Sequence, residues 1–221
     1  MTLYVVATPI GNLGDITFRA IETLKNVDFV AAEDTRTAKK LFTKFDIHSS
    51  LVAFHAHSSE RETEKILEKL KNGKSVALIS EAGTPTISDP GAVLVRRAIE
   101  EGIKVVPIPG ACAAVAALSA SGLRTDKFVF LGFLPTKKGR QKLFESLREE
   151  KRTVVFYESP HRVLKTVTQL VEILGAERQI VLARELTKIH EEFFRGDLSS
   201  AVEFLKSKKP RGEFTILLEA G

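Results

Sequence analysis

Over the first half of the chain, short runs of β-branched and other apolar residues alternate with longer stretches whose apolar positions recur every three or four residues. The runs are Leu3–Ala7, Phe29–Ala32, Leu51–His55, Ser75–Ser80 and Lys104–Ile108, and their length and composition predict strands with helices between them. Strands alternating with helices in this way form a parallel sheet. The start of one helix is written into the sequence: Ser59-Glu60-Arg61-Glu62 has the spacing of a capping box, ahead of Ile66, Leu67 and Leu70 on one face. Asn72-Gly73 ends that helix with a left-handed turn. Asp89-Pro90 reads as the N-cap and first position of another helix, with Val93, Leu94, Ala98 and Ile99 facing inward.

A small-residue helix follows Pro109-Gly110 and ends near Ser121-Gly122, and the polar stretch Leu123-Arg124-Thr125-Asp126 comes next. The composition break places a domain boundary there, with residues 1–122 as an N-terminal α/β domain and 123–221 as a C-terminal one. The second half offers runs at Phe128–Phe133, Thr153–Glu158, Gln179–Glu185, Glu191–Arg195 and Glu213–Leu218, with helices at about Arg140–Glu149, His161–Leu174 and Leu198–Lys206. Its last two runs flank a short helix and carry alternating patterns, which predicts a mixed sheet with antiparallel pairs. Leu134–Lys142 is a basic loop, and no internal repeat is visible.

The punctuation of the strands carries the chemistry. Ser75–Ser80 breaks into Glu81-Ala82-Gly83-Thr84-Pro85-Thr86-Ile87-Ser88-Asp89-Pro90-Gly91, and Lys104–Ile108 breaks into Pro109-Gly110-Ala111. Parallel strands that stop in small residues on one edge leave main-chain groups facing a crevice, where open α/β sheets bind ligands. The first strand ends in Thr8-Pro9-Ile10-Gly11-Asn12, which is neither a Gly-Lys-Ser/Thr phosphate loop nor a Gly-x-Gly-x-x-Gly fingerprint. Glu33-Asp34-Thr35-Arg36 follows the second strand. Asp34 there either caps a helix or positions a hydroxyl, and Arg36 is suited to a forked phosphate contact. His55 and His57 add a possible acid, base or RNA contact. In the second half, Phe156-Tyr157-Glu158-Ser159-Pro160-His161-Arg162, Ala183–Thr187 and Pro210–Thr215 place charged and aromatic groups at strand ends. A buried Glu158 or Glu185 needs a partner, for which Arg162 or Arg184 is the natural choice.

Composition narrows the class. The 221 residues contain one cysteine, Cys112, so no internal disulfide forms and a structural zinc site has no thiol pair. No apolar run approaches the roughly 18 to 20 residues of a membrane span, and the first run begins at Leu3 with no basic region before it, so a soluble, cytoplasmic protein is expected. Lys and Arg outnumber Asp and Glu by 33 to 28, a net charge of +5 that permits an anionic partner without demanding one.

Six segments in order, at 8–17, 33–36, 80–91, 109–111, 156–162 and 211–214, resemble the ribosomal RNA small subunit methyltransferase I family of the tetrapyrrole methylase superfamily. The resemblance implies a two-domain α/β fold with a parallel N-terminal sheet, a mixed C-terminal sheet and a cofactor cleft between them. It also implies S-adenosylmethionine as cofactor, a homodimer, and 2′-O-methylation of a cytidine in the decoding region of small-subunit (16S) ribosomal RNA, with rRNA or the 30S subunit as partner and no metal. By position, the cofactor contacts would be Pro9; Ser80, Glu81, Ala82, Gly83 and Pro85; Gly110, Ala111, Cys112 and Ala113; Phe156, Tyr157 and Glu158; Arg184 and Glu185; and Gly212, Glu213, Phe214 and Thr215. Cys112 stands where serine is expected in many relatives. A ribose hydroxyl gives up its proton reluctantly, so Asp34, Glu158 and His57 are the candidate catalytic bases. Arg36, Lys137, Lys138, Arg140 and Arg162 are the candidate RNA contacts. A methylase of a small tetrapyrrole on the same fold, and a non-catalytic ribosome-assembly factor, stay open as alternatives.

Overall fold

The computed structural model describes residues 1–55 and 58–221, and the chain divides into two units, 1–112 and 113–221. The first unit contains β1 (Thr2–Val6), α1 (Phe18–Asn26), β2 (Phe29–Ala32), α2 (Thr35–Phe45), β3 (Ser50–Ala53), α3 (Glu60–Lys71), β4 (Ser75–Ile79), α4 (Ala92–Glu100) and β5 (Lys104–Ile108). Its strands lie in the order β3-β2-β4-β1-β5 and every neighbouring pair is parallel. Both faces are covered, which is why the strands read as continuous apolar runs. Successive residues alternate between the two cores. Val6, Val30, Ala77 and Ile79 pack with Leu24 of α1 and Phe42 of α2, while Leu3, Ala31, Val76 and Leu78 pack with Leu67 of α3 and Leu94 of α4.

In the first unit the side chains of Thr17, Asp34 and Ser59 cap the starts of α1, α2 and α3. Ser59 Oγ accepts from the Glu62 amide at 3.3 Å and Glu62 Oε2 accepts from the Ser59 amide at 2.6 Å, completing the capping box. α4 departs from the sequence reading. Its N-cap is Gly91, at φ 117°, and Asp89 and Pro90 stay in the loop. The helix starts so close to β4 that a Cβ on Gly91 would sit 2.5 Å from Leu78 Cδ2. Leu94 and Ala98 define its buried stripe, whereas Val93 and Ile99 are 53% and 61% exposed. At 100° per residue they fall to either side of the stripe.

The second unit contains α5 (Ala113–Ser119), β6 (Phe128–Phe133), α6 (Arg140–Ser146), β7 (Thr153–Glu158), α7 (Val163–Leu174), β8 (Gln179–Arg184), β9 (Glu192–Asp197), α8 (Leu198–Ser207) and β10 (Phe214–Leu218). The order is β6-β7-β10-β8-β9, with β6–β7 parallel and the other pairs antiparallel. The mixed sheet is as expected, but β10 does not alternate. All five of its residues are buried, because it is the central strand and α5 packs against it and β7. Arg195 holds the segment after α5, donating to Ala120 O at 2.6 Å and Ser121 O at 3.3 Å. The contact boundary therefore falls after Cys112, ahead of the composition break at 122.

Gly91→Ala forces a left-handed alanine against Leu78 and is expected to destabilise the first unit by about 2 kcal/mol. Chemical denaturation of the full chain checks this, and an unchanged midpoint would contradict it.

Candidate functional site

In the first unit, the exits of β1, β4 and β5 are stitched together by two main-chain bonds and one from a threonine side chain. Thr8 N–H donates to Gly83 O at 2.8 Å, Gly83 N–H returns to Thr8 O at 3.0 Å, and Thr84 Oγ1 donates to Ala111 O at 3.1 Å. Two glycines make the approach possible. Gly83 has φ 83°, and a Cβ on Gly110 would lie 2.9 Å from Ala7 Cβ. Around this seat Pro85 is buried, Pro9, Ala111 and Cys112 are half-buried, and Glu81, Ala82 and Gly110 are exposed. Ser80 is buried and donates to Ala82 O at 3.3 Å. Thr8 Oγ1 is buried and has no hydrogen-bond partner among the described residues. A buried hydroxyl left unpaired is costly, so this atom fits a polar ligand held by the turns.

The rest of the loop after β4 is strained. Thr86 and Ser88 have φ of 74° and 63°, a region that a β-branched residue such as threonine rarely adopts and that tends to occur at functional sites. Its last limb reaches a cavity of about 650 Å³ lined by Glu33, Phe54, His55, Ser58, Thr63 and Asp89, among others. Burial pushes the Asp89 carboxyl up to about 6, with Glu33 and Glu81 adding to the effect and the Ser80 hydroxyl opposing it. The sequence reading gave Asp89 a capping role only. The signal that frees it is Gly91, which takes over the cap.

Asp34 is the N-cap of α2. Its Oδ1 accepts from the Arg36 amide at 2.7 Å and from Arg36 Nε at 3.2 Å, and its Oδ2 accepts from Arg36 Nη2 at 2.9 Å. The Arg36 guanidinium, through its side-chain hydrogen bonds, holds this carboxyl down to about 2. Asp34 therefore has the capping role that the sequence reading set beside the catalytic one. The Arg36 fork is engaged with Asp34 although the side chain is 88% exposed. His55 lies just beyond β3 on the cavity wall, and His57 lies outside the described residues.

In the second unit Glu158 is 1% exposed. Its Oε1 accepts from Arg162 Nη2 at 2.6 Å and from the Ser159 amide at 2.8 Å, and Oε2 accepts from Thr166 Oγ1 at 2.7 Å. Both oxygens are occupied, so Glu158 locks Arg162, Ser159 and Thr166 together. Arg140 Nη1 lies 4.0 Å from the same carboxylate. Arg140 also donates to Gln169 Oε1 at 3.0 Å, Pro135 O at 3.0 Å and Thr166 Oγ1 at 2.7 Å, and Arg162 donates to Leu134 O at 3.3 Å. These two arginines tie the basic loop to α7. Lys137 and Lys138 stand exposed on it.

The remaining positions divide between core and surface. The Phe156, Phe214 and Thr215 side chains are buried. Phe156 and Phe214 belong to the core and offer no side-chain surface to a ligand. The Tyr157 hydroxyl accepts from the Ala114 amide at 3.2 Å, so Ala113 and its helix are tied to β7. Arg184 pairs with Glu192 at 3.1 Å, not with Glu158 or Glu185. Glu185, at φ 52°, instead accepts from Lys188 Nζ at 2.9 Å and from the Glu213 amide at 3.0 Å. Gly212 is required beside it, since a Cβ there would overlap the Glu185 carboxyl. Thr187, at φ 66°, carries a second buried hydroxyl without a partner, which the sequence reading missed.

The chain matches the tetrapyrrole (corrin/porphyrin) methylase family over residues 2–202. It is 52% identical over 217 residues to ribosomal RNA small subunit methyltransferase I of Synechocystis sp., across 98% of this chain and 78% of that protein. To the protein of the same name from Thermotoga maritima it is 48% identical over 216 residues, across 98% of this chain and 97% of that protein. Among solved structures, diphthine synthase has a TM-score of 0.76 at 15% identity, covering 99% of this chain and 90% of that one. Uroporphyrin-III C-methyltransferase from Thermus thermophilus, complexed with S-adenosyl homocysteine, has a TM-score of 0.68 at 19% identity, covering 98% and 97%. At such identities the likeness is one of fold.

Glu158→Gln leaves two arginines with a neutral partner and is expected to destabilise the second unit by about 3 kcal/mol. Denaturant unfolding measures this; a loss below about 0.5 kcal/mol would contradict the lock.

Proposed function

The chain belongs to the ribosomal RNA small subunit methyltransferase I family of the tetrapyrrole methylases, and on that premise we propose that it transfers a methyl group from S-adenosylmethionine to the 2′-oxygen of a cytidine in small-subunit ribosomal RNA. The observation that carries the reading is the seat formed by Thr8, Gly83 and Ala111, with its glycine-permitted close approach and its unpaired Thr8 hydroxyl. In this reading the main chain of Pro9, Gly83, Gly110 and Ala111 holds the cofactor, and the Thr8 hydroxyl bonds one of its polar atoms. When bound, S-adenosylmethionine supplies an activated methyl group on a sulfonium. The protein's task is then to align the acceptor oxygen with that carbon, and orientation of this kind supplies several kcal/mol.

Among the four candidates of the second unit, Lys137 and Lys138 are the ones that stand exposed for the RNA backbone, while Arg140 and Arg162 are engaged with Glu158 and neighbouring carbonyls. An acidic macrocycle is a poor occupant of the cavity near Asp89. Precursor tetrapyrroles carry several carboxylates, which Glu33, Glu81 and Asp89 would repel. A nucleoside brings neutral hydroxyl and amino donors instead.

The test is transfer of labelled methyl from S-adenosylmethionine to 30S subunits, followed by nuclease digestion and chromatography. Label in 2′-O-methylcytidine is the expected result. Label in a base or another nucleoside, or transfer to a tetrapyrrole and not to RNA, would overturn the reading.

A further inference from the structure

The cavity at the ends of β2, β3 and β4 encloses about 650 Å³, within the range that admits a molecule of nucleoside size. It shares a loop with the cofactor seat. The first limb of residues 81–91 is bridged to Thr8 and Ala111, and the last limb puts Asp89 on the cavity wall. The Thr8 hydroxyl, 4% exposed and without a partner, marks the neighbouring seat as a place for a polar ligand.

The charges around Asp89 leave it uncompensated. Glu33 after β2 and Glu81 after β4 carry the same charge as Asp89. Arg97 of α4 is taken by Glu64 of α3 at 2.7 Å and Glu101 at 3.0 Å, and Arg96 lies 3.8 Å from Glu100. Among the described residues, His55 after β3 and Glu60 of α3 complete the titratable groups on the walls. Among the described residues, the Ser80 hydroxyl is the neighbour that favours the ionised form.

We infer that this cavity receives the acceptor nucleoside and that Asp89 takes the proton of its reacting hydroxyl, an assignment that rests on the methyl-transfer reading. The O–H bond breaks and its proton passes to an Asp89 Oδ. The oxygen's electron pair forms the bond to the methyl carbon, and the carbon–sulfur pair leaves with the sulfur as a neutral thioether. The environment suits the task. A carboxyl raised to about 6 is a stronger base than an ordinary one yet is ionised at neutral pH. The grouped carboxylates can also accept from hydroxyl and amino groups.

Single-turnover transfer to 30S subunits, followed from about pH 5 to about pH 8.5, tests the role. The parent rate should rise about tenfold per pH unit below about 6 and then level, whereas Asp89→Asn should slow by about 10²- to 10⁴-fold and lose the inflection. S-adenosylhomocysteine affinity should stay within about twofold. Thermal melting gives a readout independent of activity. The folded value lies above the ordinary 3.8, so the cost of ionising Asp89 is absent below about 4 and complete above about 6. The Asn variant should therefore melt above the parent at about pH 7.5 and alongside it at about pH 4. A parental rate and pH profile in the variant, loss of its S-adenosylhomocysteine affinity, or no pH-dependent difference in melting would each overturn the assignment. A parent that methylates no RNA overturns the function itself, whereas a methylating parent matched by its variant overturns Asp89 alone.

Discussion

The constraint on which the site depends is the two-bond bridge between Thr8 and Gly83. β1 and β4 are parallel neighbours in register, with Val5 opposite Leu78, so their chains leave the sheet side by side. Left to themselves, those exits would diverge into separate connections toward α1 and α4. The reciprocal bonds at 2.8 and 3.0 Å hold them together, and Thr84 extends the clamp to the exit of β5 through Ala111. Glycine is needed at 83 for its positive φ and at 110 because Ala7 leaves no room for a side chain. A seat made from main chain is fixed by the sheet beneath it, which is the kind of preorganisation that alignment of reacting atoms requires.

The two units hold their buried polar groups differently at Glu158 and at the first unit's sheet edge, although the second unit also has left-handed residues and a buried hydroxyl without a partner at the Glu185–Thr187 turn. In the second, Glu158 is fully enclosed but every oxygen is bonded, and the surrounding network of Arg140, Arg162 and Thr166 fixes the loop that carries Lys137 and Lys138. In the first, the sheet edge collects features that cost stability: Thr86 and Ser88 in left-handed conformations, the unpaired Thr8 hydroxyl, and Asp89 facing Glu33 and Glu81. Costs gathered on one edge while the cores are closely packed are the mark of a site selected for chemistry over stability.

Much of this was legible in the residues. Strand composition gave the parallel sheet of the first unit and the mixed sheet of the second, the Ser59–Glu62 spacing gave the capping box, and the small-residue breaks after β4 and β5 marked the edge where the turns meet. What escaped depends on distance in space. Gly91 caps α4 because Leu78 crowds it, a contact no local spacing reveals, and that displacement is what turns Asp89 from a cap into a cavity carboxylate. Arg162, one of the two partners that burial of Glu158 called for, does pair with it. Arg140, by contrast, reaches the same network from α6, across the sequence. Lys188 displaces Arg184 as the partner of Glu185 because the left-handed turn at Glu185 and Thr187 folds the chain back on itself.

The central claim is that the clamped turns of the first unit seat the cofactor. Calorimetric titration of the parent and of Gly110→Val with S-adenosylhomocysteine tests it most directly, alongside circular dichroism to verify that the variant is folded. One site per chain is expected in the parent and at least a tenfold weaker affinity, about 1.4 kcal/mol, in a folded variant whose valine presses on Ala7. Equal affinity in the two proteins, or no binding to the parent, would contradict it.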